Sequence, residues 1–291
     1  MTELITENSG FESKMVFQKE LGIMTDVMHP DYNKLLELLK SRKSVRRLKP
    51  DPIPEGHVEK IVEAGRWAMS GANSQPWEFI IVRDQEMKEA LETAFKEVNM
   101  DYIFWMEQQR IRELRHPSFI LSGDPHKQLD YIKSRCEWAD APALIIVLGD
   151  GRRQWGTVMG GHTFGRDQSH FTDGLANCCT LMHLAASTLG LGTQWVTIHI
   201  QEAFKKILNV PDVLTLYLII PVGYPASSPK EGVRRELKDM IHYDKYDSCK
   251  FMSNEEILTY LAELRGYTKE IYRKSYFPVS NSSAKNNNSE V

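Results

Sequence analysis

The 291-residue sequence has only four cysteines, Cys136, Cys178, Cys179 and Cys249, with no C-x-x-C pair and no histidine at zinc-finger spacing beside them. That excludes a disulfide framework and a structural zinc module, and it fits a reducing compartment. A basic excess is also missing: 36 lysines and arginines face 39 acidic residues, for a formal net charge of -3. The long-range attraction that drives phosphate-backbone binding is therefore absent, and no nucleic-acid partner is expected. The longest apolar stretches, residues 141–149 and 213–222, are far short of the roughly 20 residues a membrane helix needs, so no membrane partner is expected either. The start of the chain, from Met1 to about Lys19, lacks the basic head and apolar run of a signal peptide, and a cytoplasmic location is the expectation. There is no G-x-G-x-x-G turn, which removes the usual dinucleotide cradle, and there is no internal repeat.

What is present is a hydrophobic fraction of 42%, ordinary for a globular chain. Leu35, Leu36, Leu38 and Leu39 give residues 31–41 a helical pattern that ends at a basic run. Pro50, Pro52 and Pro54 punctuate a loop, and Val58, Ile61, Val62, Ala64, Gly65 and Ala68 form the apolar face of a second helix. A small-residue turn, residues 70–77, precedes a buried strand at 78–82. Residues 85–115 are predicted helical and rich in aromatics, 116–127 a mobile connection, 129–139 helical, and 143–148 a strand. Residues 149–167 are predicted as a long surface loop. Thr172 or Asp173 then caps a helix over 174–189 that is apolar nearly all round, so it must be buried on every side, and Gly190 and Gly192 end it. A strand over 193–200, a short helix over 201–208, a strand over 214–222 and a helix over 254–264 complete the pattern.

Helices and strands mixed without a regular β-α-β repeat point to an α+β sandwich. The expected organisation is an N-terminal arm at 1–30, one domain at 31–250, a helical extension at 251–279 and a disordered polar tail at 280–291.

Three constellations carry chemistry. Arg42-Lys43-Ser44-Val45-Arg46-Arg47 packs four cations and a hydroxyl into six residues, and guanidinium forks match phosphate oxygens or a heterocycle edge. Taken alone such a run is most often a solvated turn. Ser70-Gly71-Ala72-Asn73-Ser74-Gln75-Pro76-Trp77 offers small residues for close backbone approach and two side-chain amides. Gly223-Tyr224-Pro225 followed by Arg234 and Arg235 is the third. His162, His170 and Asp173 are metal-ligand types but straddle a loop and a cap, so no metal is expected; Cys178 and Cys179 read as core. The aromatics of residues 99–105 are either a lid or a core stripe.

In this order, Arg-x-Ser-x-Arg, then Asn-x-Gln-Pro-Trp-x-Phe, then a buried helix ending Gly-Leu-Gly-Thr, then Gly-Tyr-Pro and arginine, the motifs resemble the nitroreductase family of flavoproteins over about residues 32–247. The loop at Ser70 to Trp77 is also similar to that of the branch containing iodotyrosine deiodinase and the flavin-fragmenting dimethylbenzimidazole synthase. The resemblance implies a three-layer sandwich with a central, mostly antiparallel sheet, an intertwined homodimer and FMN as cofactor. It implies Arg42, Lys43, Ser44 and Arg46 as ligands of the FMN phosphate, ribityl chain and pyrimidine edge, joined by Arg234 or Arg235. Ser70, Gly71, Ala72, Asn73 and Gln75 would reach the flavin from the other subunit. Trp195, Val196 and Thr197 would face its N5 and O4, with Thr197 as the catalytic contact. The implied activity is NADH- or NADPH-dependent reduction of a small electron-poor molecule, nitroaromatic or quinone-like, in ping-pong fashion. Flavin-dependent oxidation, reductive dehalogenation, oxygen-using chemistry and a non-catalytic flavin carrier are the alternatives, with a flavin-free dimeric scaffold behind them.

Overall fold

The computed structural model describes residues 30–112, 115, 117–153, 166–229 and 234–276. Nearly all of the expected N-terminal arm, the middle of the 149–167 loop and the polar tail lie outside the described residues. Helix α1 is Pro30–Ser41 and α2 is His57–Arg66. Strand β1, Trp77–Val82, leads to α3, Gln85–Ala94, which Asp84 caps by accepting from the Met87 N–H at 2.8 Å. A π-helical stretch, Phe95–Asn99, joins α3 to α4, Met100–Gln108. The remaining elements are α5, Pro125–Lys133; β2, Ala143–Asp150; α6, Arg166–Thr188; β3, Gly192–Thr193; β4, Val196–Thr197; α7, Glu202–Leu208; β5, Leu214–Gly223; and α8, Asn254–Tyr276.

The sheet runs β1-β2-β5-β3, with β4 also on β5, and every named pairing is antiparallel. All eight residues of β2 are buried. Leu144, Ile146 and Leu148 face Leu91, Phe95, Trp138 and Phe204 in one core. Ala143, Ile145 and Val147 face Val58, Ile61, Leu175, Cys178 and Met182 in the other. This alternation is the period-two pleat of a strand covered on both sides, and it makes the protein the expected three-layer α+β sandwich.

Several elements differ from the sequence expectation. The strand expected at 193–200 is two short pieces. Gly192 opposes Gly223, Thr193 opposes Val222, Val196 opposes Ile219 and Thr197 opposes Leu218 in one constant register. The break therefore falls opposite Pro221, which has no N–H to give the ladder. Helix α6 begins at Arg166 and not at 174, so Thr172 and Asp173 lie inside it rather than capping it. Gly190 ends it with φ 72, as expected for a left-handed terminus, while Gly192 instead enters β3. The helix expected over 85–115 changes to π geometry at Phe95 and ends at Gln108, and 116–127 contains a 3-10 turn, Pro117–Phe119, and the start of α5. The C-terminal helix runs on to Tyr276.

Ile145 and Ile146 are each fully buried, on opposite faces of β2. Truncating either to alanine is expected to cost about 2–5 kcal/mol in denaturant unfolding. A near-neutral result for one of them would mean that its face is not a packed layer.

Candidate functional site

The basic run follows α1 directly, with the Arg42 N–H donating to the Leu38 carbonyl at 3.0 Å. Val45 is buried in the core, and strand-like alternation leaves Ser44 and Arg46 exposed on either side of it. The Val45 N–H donates to the Thr193 carbonyl at 2.9 Å, and Ser44 forms a parallel bridge with Thr193. Gly192 permits this approach: a Cβ there would stand 2.8 Å from Val45 Cγ2 and 2.9 Å from Val45 Cβ. On the same stretch the Lys49 N–H donates to the Tyr224 carbonyl at 2.8 Å and the Ala226 N–H to the Arg47 carbonyl at 3.0 Å. Backbone bonds thus join the cationic run, the β3–β4 edge and the Gly-Tyr-Pro turn, three motifs far apart in sequence. Arg47 points away and pairs with Glu137 at 2.9 Å.

Trp195 sits in the gap between β3 and β4. Its ring stacks on His183 of α6, with centroids 5.8 Å apart, and meets Tyr217 edge-on at 5.9 Å. Tyr217 is the extra residue of a β-bulge, since Val147 opposes Leu218 and Leu148 opposes Leu216. Val196 points into the other core and is 2% exposed, so only its backbone is available to a ligand. Thr197, two residues on from Trp195, shares the α6 face and is exposed.

His183 was not legible as a functional residue, because one histidine on an apolar helix reads as core. It is buried, its Nδ1 lies 2.6 Å from Thr193 Oγ1, and its Nε2 has no hydrogen-bond partner among the described residues. Burial, aided by the Arg42 charge, lowers its pKa to about 4, so the ring is neutral at pH 7. The residue therefore ties together Arg42, Thr193 and Trp195.

The second constellation lies elsewhere. The Ser70 hydroxyl accepts from the Gln75 N–H at 3.0 Å, closing a loop that holds Ala72, Asn73 and Gln75 at φ 51, 52 and 47. Three left-handed non-glycine residues in four positions are strained, and such strain clusters where backbone groups are aimed at a ligand. Gly71 packs against His170, Gly174 against Ser70, and the Asn177 amide donates to the Met69 carbonyl at 3.2 Å. The loop thus rests on the N-terminal half of α6, while Thr193 rests on His183. At 1.5 Å per residue the loop's contacts at His170, Gly174 and Asn177 lie roughly 9 to 20 Å from His183 along one helix. The loop and the Thr193 edge thus meet α6 at successive positions, 170–177 for the one and 183 for the other. Gln75 instead borders an open groove between α2 and β1, beside Arg66, Trp77 and Arg153.

Arg234 and Arg235 are exposed, and Arg235 lies over the Tyr260 ring of α8 at 5.9 Å. The aromatics expected as lid or core divide: Phe104 is buried, whereas Tyr102 and Trp105 are exposed. Cys178 and Cys179 are core residues, and burial pushes the Cys178 thiol up to about 12. His170 and Asp173 are exposed on α6, and His162 lies outside the described residues. No group of three metal-ligating side chains occurs among the described residues.

Two measurements follow from this geometry. The folded pKa of His183 lies below its usual 6.5. The unfolded chain therefore takes up a proton first, and stability present above about pH 6.5 is lost as pH falls towards 4, by about 3 kcal/mol in all. Denaturant melts across that range should show the loss, and His183→Phe should flatten that part of the profile. Gly192→Ala is expected to push the cationic run off β3, costing about 1–3 kcal/mol; a melt unchanged from the parent protein would contradict the tight approach.

The nitroreductase family model matches residues 39–224. Iodotyrosine deiodinase of Nematostella vectensis is 28% identical over 192 residues, covering 65% of this chain and 66% of that one. A protein of Methanothermobacter thermautotrophicus named "Putative NADH dehydrogenase/NAD(P)H nitroreductase" is 26% identical over 217 residues, covering 73% of this chain and 87% of its own. The chain spans about two thirds of the length of the deiodinases it matches. Among solved structures, oxidized iodotyrosine deiodinase bound to FMN and 3-iodo-L-tyrosine superposes with a TM-score of 0.54 at 24% identity, covering 73% of this chain and 100% of that chain. No helix among the described residues is long and apolar enough to cross a membrane. With well over half its length inside the family model and three of the ordered motifs joined by backbone bonds at one edge of its sheet, the chain belongs to the nitroreductase family.

Proposed function

We propose that the protein is an FMN-dependent oxidoreductase, working as a homodimer, that uses NADH or NADPH to reduce a small electron-poor molecule. The observation that carries this reading is the convergence of Arg42, Ser44 and Arg46 on the β3–β4 edge through the Val45–Thr193 bond. The donor set suits the cofactor. Guanidinium, ammonium and hydroxyl donors match a phosphate dianion, and neutral His183 leaves an unpartnered Nε2 buried beside Arg42 and Trp195.

FMN, when bound, supplies the two-electron relay between reductant and acceptor. Arg42, Lys43, Ser44 and Arg46 hold its phosphate, ribityl chain and pyrimidine edge, and Arg234 or Arg235 adds charge at the phosphate. The backbone of Trp195 and Val196 lines the ring. Thr197, exposed on the α6 face, offers its N–H or hydroxyl to N5. The loop of Ser70, Gly71, Ala72, Asn73 and Gln75, which meets α6 roughly two to four turns before His183, completes the site of a second copy. Exposed apolar residues on both halves, Leu35, Leu39, Trp67 and Met69, give such a dimer its contact surface.

Reductive dehalogenation is the second reading, favoured by the iodotyrosine deiodinases among the relatives. The visible spectrum of the purified protein, recorded anaerobically with NADH and then NADPH, separates the two. Flavin bands bleached by either nucleotide support the reductase. Persistent bands move the weight to dehalogenation, oxidation or a carrier, and no bands after added FMN reject a flavin site. Arg42→Ala is expected to weaken FMN binding at least about tenfold, the scale of one charge-assisted hydrogen bond, with the melting temperature little changed. Unaltered FMN affinity would remove Arg42 from the site.

A further inference from the structure

Strand β4 has only two ladder residues, and its exit from the sheet is held by a side chain from a different layer. Past Thr197 the next position on β5 is the bulged Tyr217, so the peptide groups of His199 and Ile200 leave the ladder. Asn99, 0% exposed at the end of the π-helical stretch, takes their place. Its Oδ1 accepts from the His199 N–H at 2.7 Å and the Ile200 N–H at 3.0 Å, and its Nδ2 donates to the Ile200 carbonyl at 3.0 Å. Both Oδ1 lone-pair directions and one of the two amide hydrogens are spent on a segment a hundred residues away. One helical turn later the Tyr102 ring lies 5.4 Å from that of His199. A π-helical turn is an uncommon geometry that recurs at functional positions, and here it delivers Asn99 to the β4 exit.

We propose that Asn99 is a positioning residue that sets where Thr197 stands against the cofactor and couples the helical segment bearing Tyr102 and Trp105 to that contact. This rests on the reading that β4 borders FMN. The bonds of Asn99 act on the backbone two and three residues beyond Thr197, so losing them frees the strand end without touching the phosphate ligands. The N5 contact is worth different amounts to oxidised and reduced flavin, because reduction turns N5 from acceptor into donor. Moving Thr197 therefore changes the ratio of the two affinities more than either half of the phosphate site would.

The test is anaerobic titration of the full-length protein with oxidised FMN and with dithionite-reduced FMN, for the parent, Asn99→Ala, Asn99→Ser, Asn99→Asp and Gln128→Ala. Gln128 is the control: it clamps backbone in the same way, donating to the Ser118 and Ile120 carbonyls at 3.0 Å each, but its bonds act on that segment and not on β4. Asn99→Ala, or Asn99→Ser should the alanine variant not fold, is expected to change the affinity ratio about tenfold, equal to about 30 mV for a two-electron couple. Asn99→Asp keeps both acceptor bonds and, protonated in this buried position, donates to the Ile200 carbonyl as the amide does, so it is expected to bring the ratio back towards the parent value, and Gln128→Ala to leave it unmoved. A parent-like ratio in the alanine and serine variants, or an equal change in Gln128→Ala, overturns the proposal while the FMN reading stands. A parent protein that binds neither form of FMN overturns the FMN reading itself and the proposal with it.

Discussion

Burial of β2 along its whole length leaves no room for chemistry on either face of the strand at the middle of the sheet. Leu144, Ile146 and Leu148 are spent on one helical layer, and Ala143, Ile145 and Val147 on the other. Polar work is displaced to the rim, where the backbone has unpaired groups and side chains reach solvent. The cationic run sits at that rim because its single buried residue, Val45, anchors it there, and the flanking Ser44 and Arg46 are turned outward by the same anchor. The buried anchor and its outward-facing neighbours thus specify each other.

The rim itself is shaped by a missing hydrogen. Pro221 cannot donate to the strand beside it, so the β3–β4 edge opens at Gln194 and Trp195 and closes again in the same register. The opening lets Trp195 lean on His183 and Tyr217. The bulge at Tyr217 shifts the alternation of β5, which places Leu216 and Ile219 on one face and Leu218 and Ile220 on the other. Two local irregularities in one strand, a proline and a bulge, are enough to break a regular edge where the rings of Trp195, His183 and Tyr217 meet.

The sequence made the layers legible. Apolar runs at 143–148 and 214–222 and the glycine-terminated apolar helix all appear where their patterns put them, because burial on both sides leaves a continuous hydrophobic signature. The basic run and the small-residue loop were visible as chemistry, but not that they meet α6 at different levels. The first turns of that helix, Arg166 to His170, carry no apolar period, and Thr172 and Asp173 mimic a cap, which hid its true start. His183 and Asn99 were hidden for another reason: each owes its role to a partner brought near by folding, Thr193 for one and Ile200 for the other. The break in the β3–β4 edge left a trace in the sequence, a proline inside an apolar strand run, but its consequence falls on the neighbouring strand rather than its own.

The separation of the two half-sites along α6 has a genetic consequence. In the proposed dimer each site takes its cationic run from one chain and its strained loop from the other. A chain defective in the run and a chain defective in the loop would then pair to give one site with both faults and one with neither. Two alleles, each silent alone, would complement one another when expressed together, to at most half of the full activity, whereas two alleles both altered in the run would never do so.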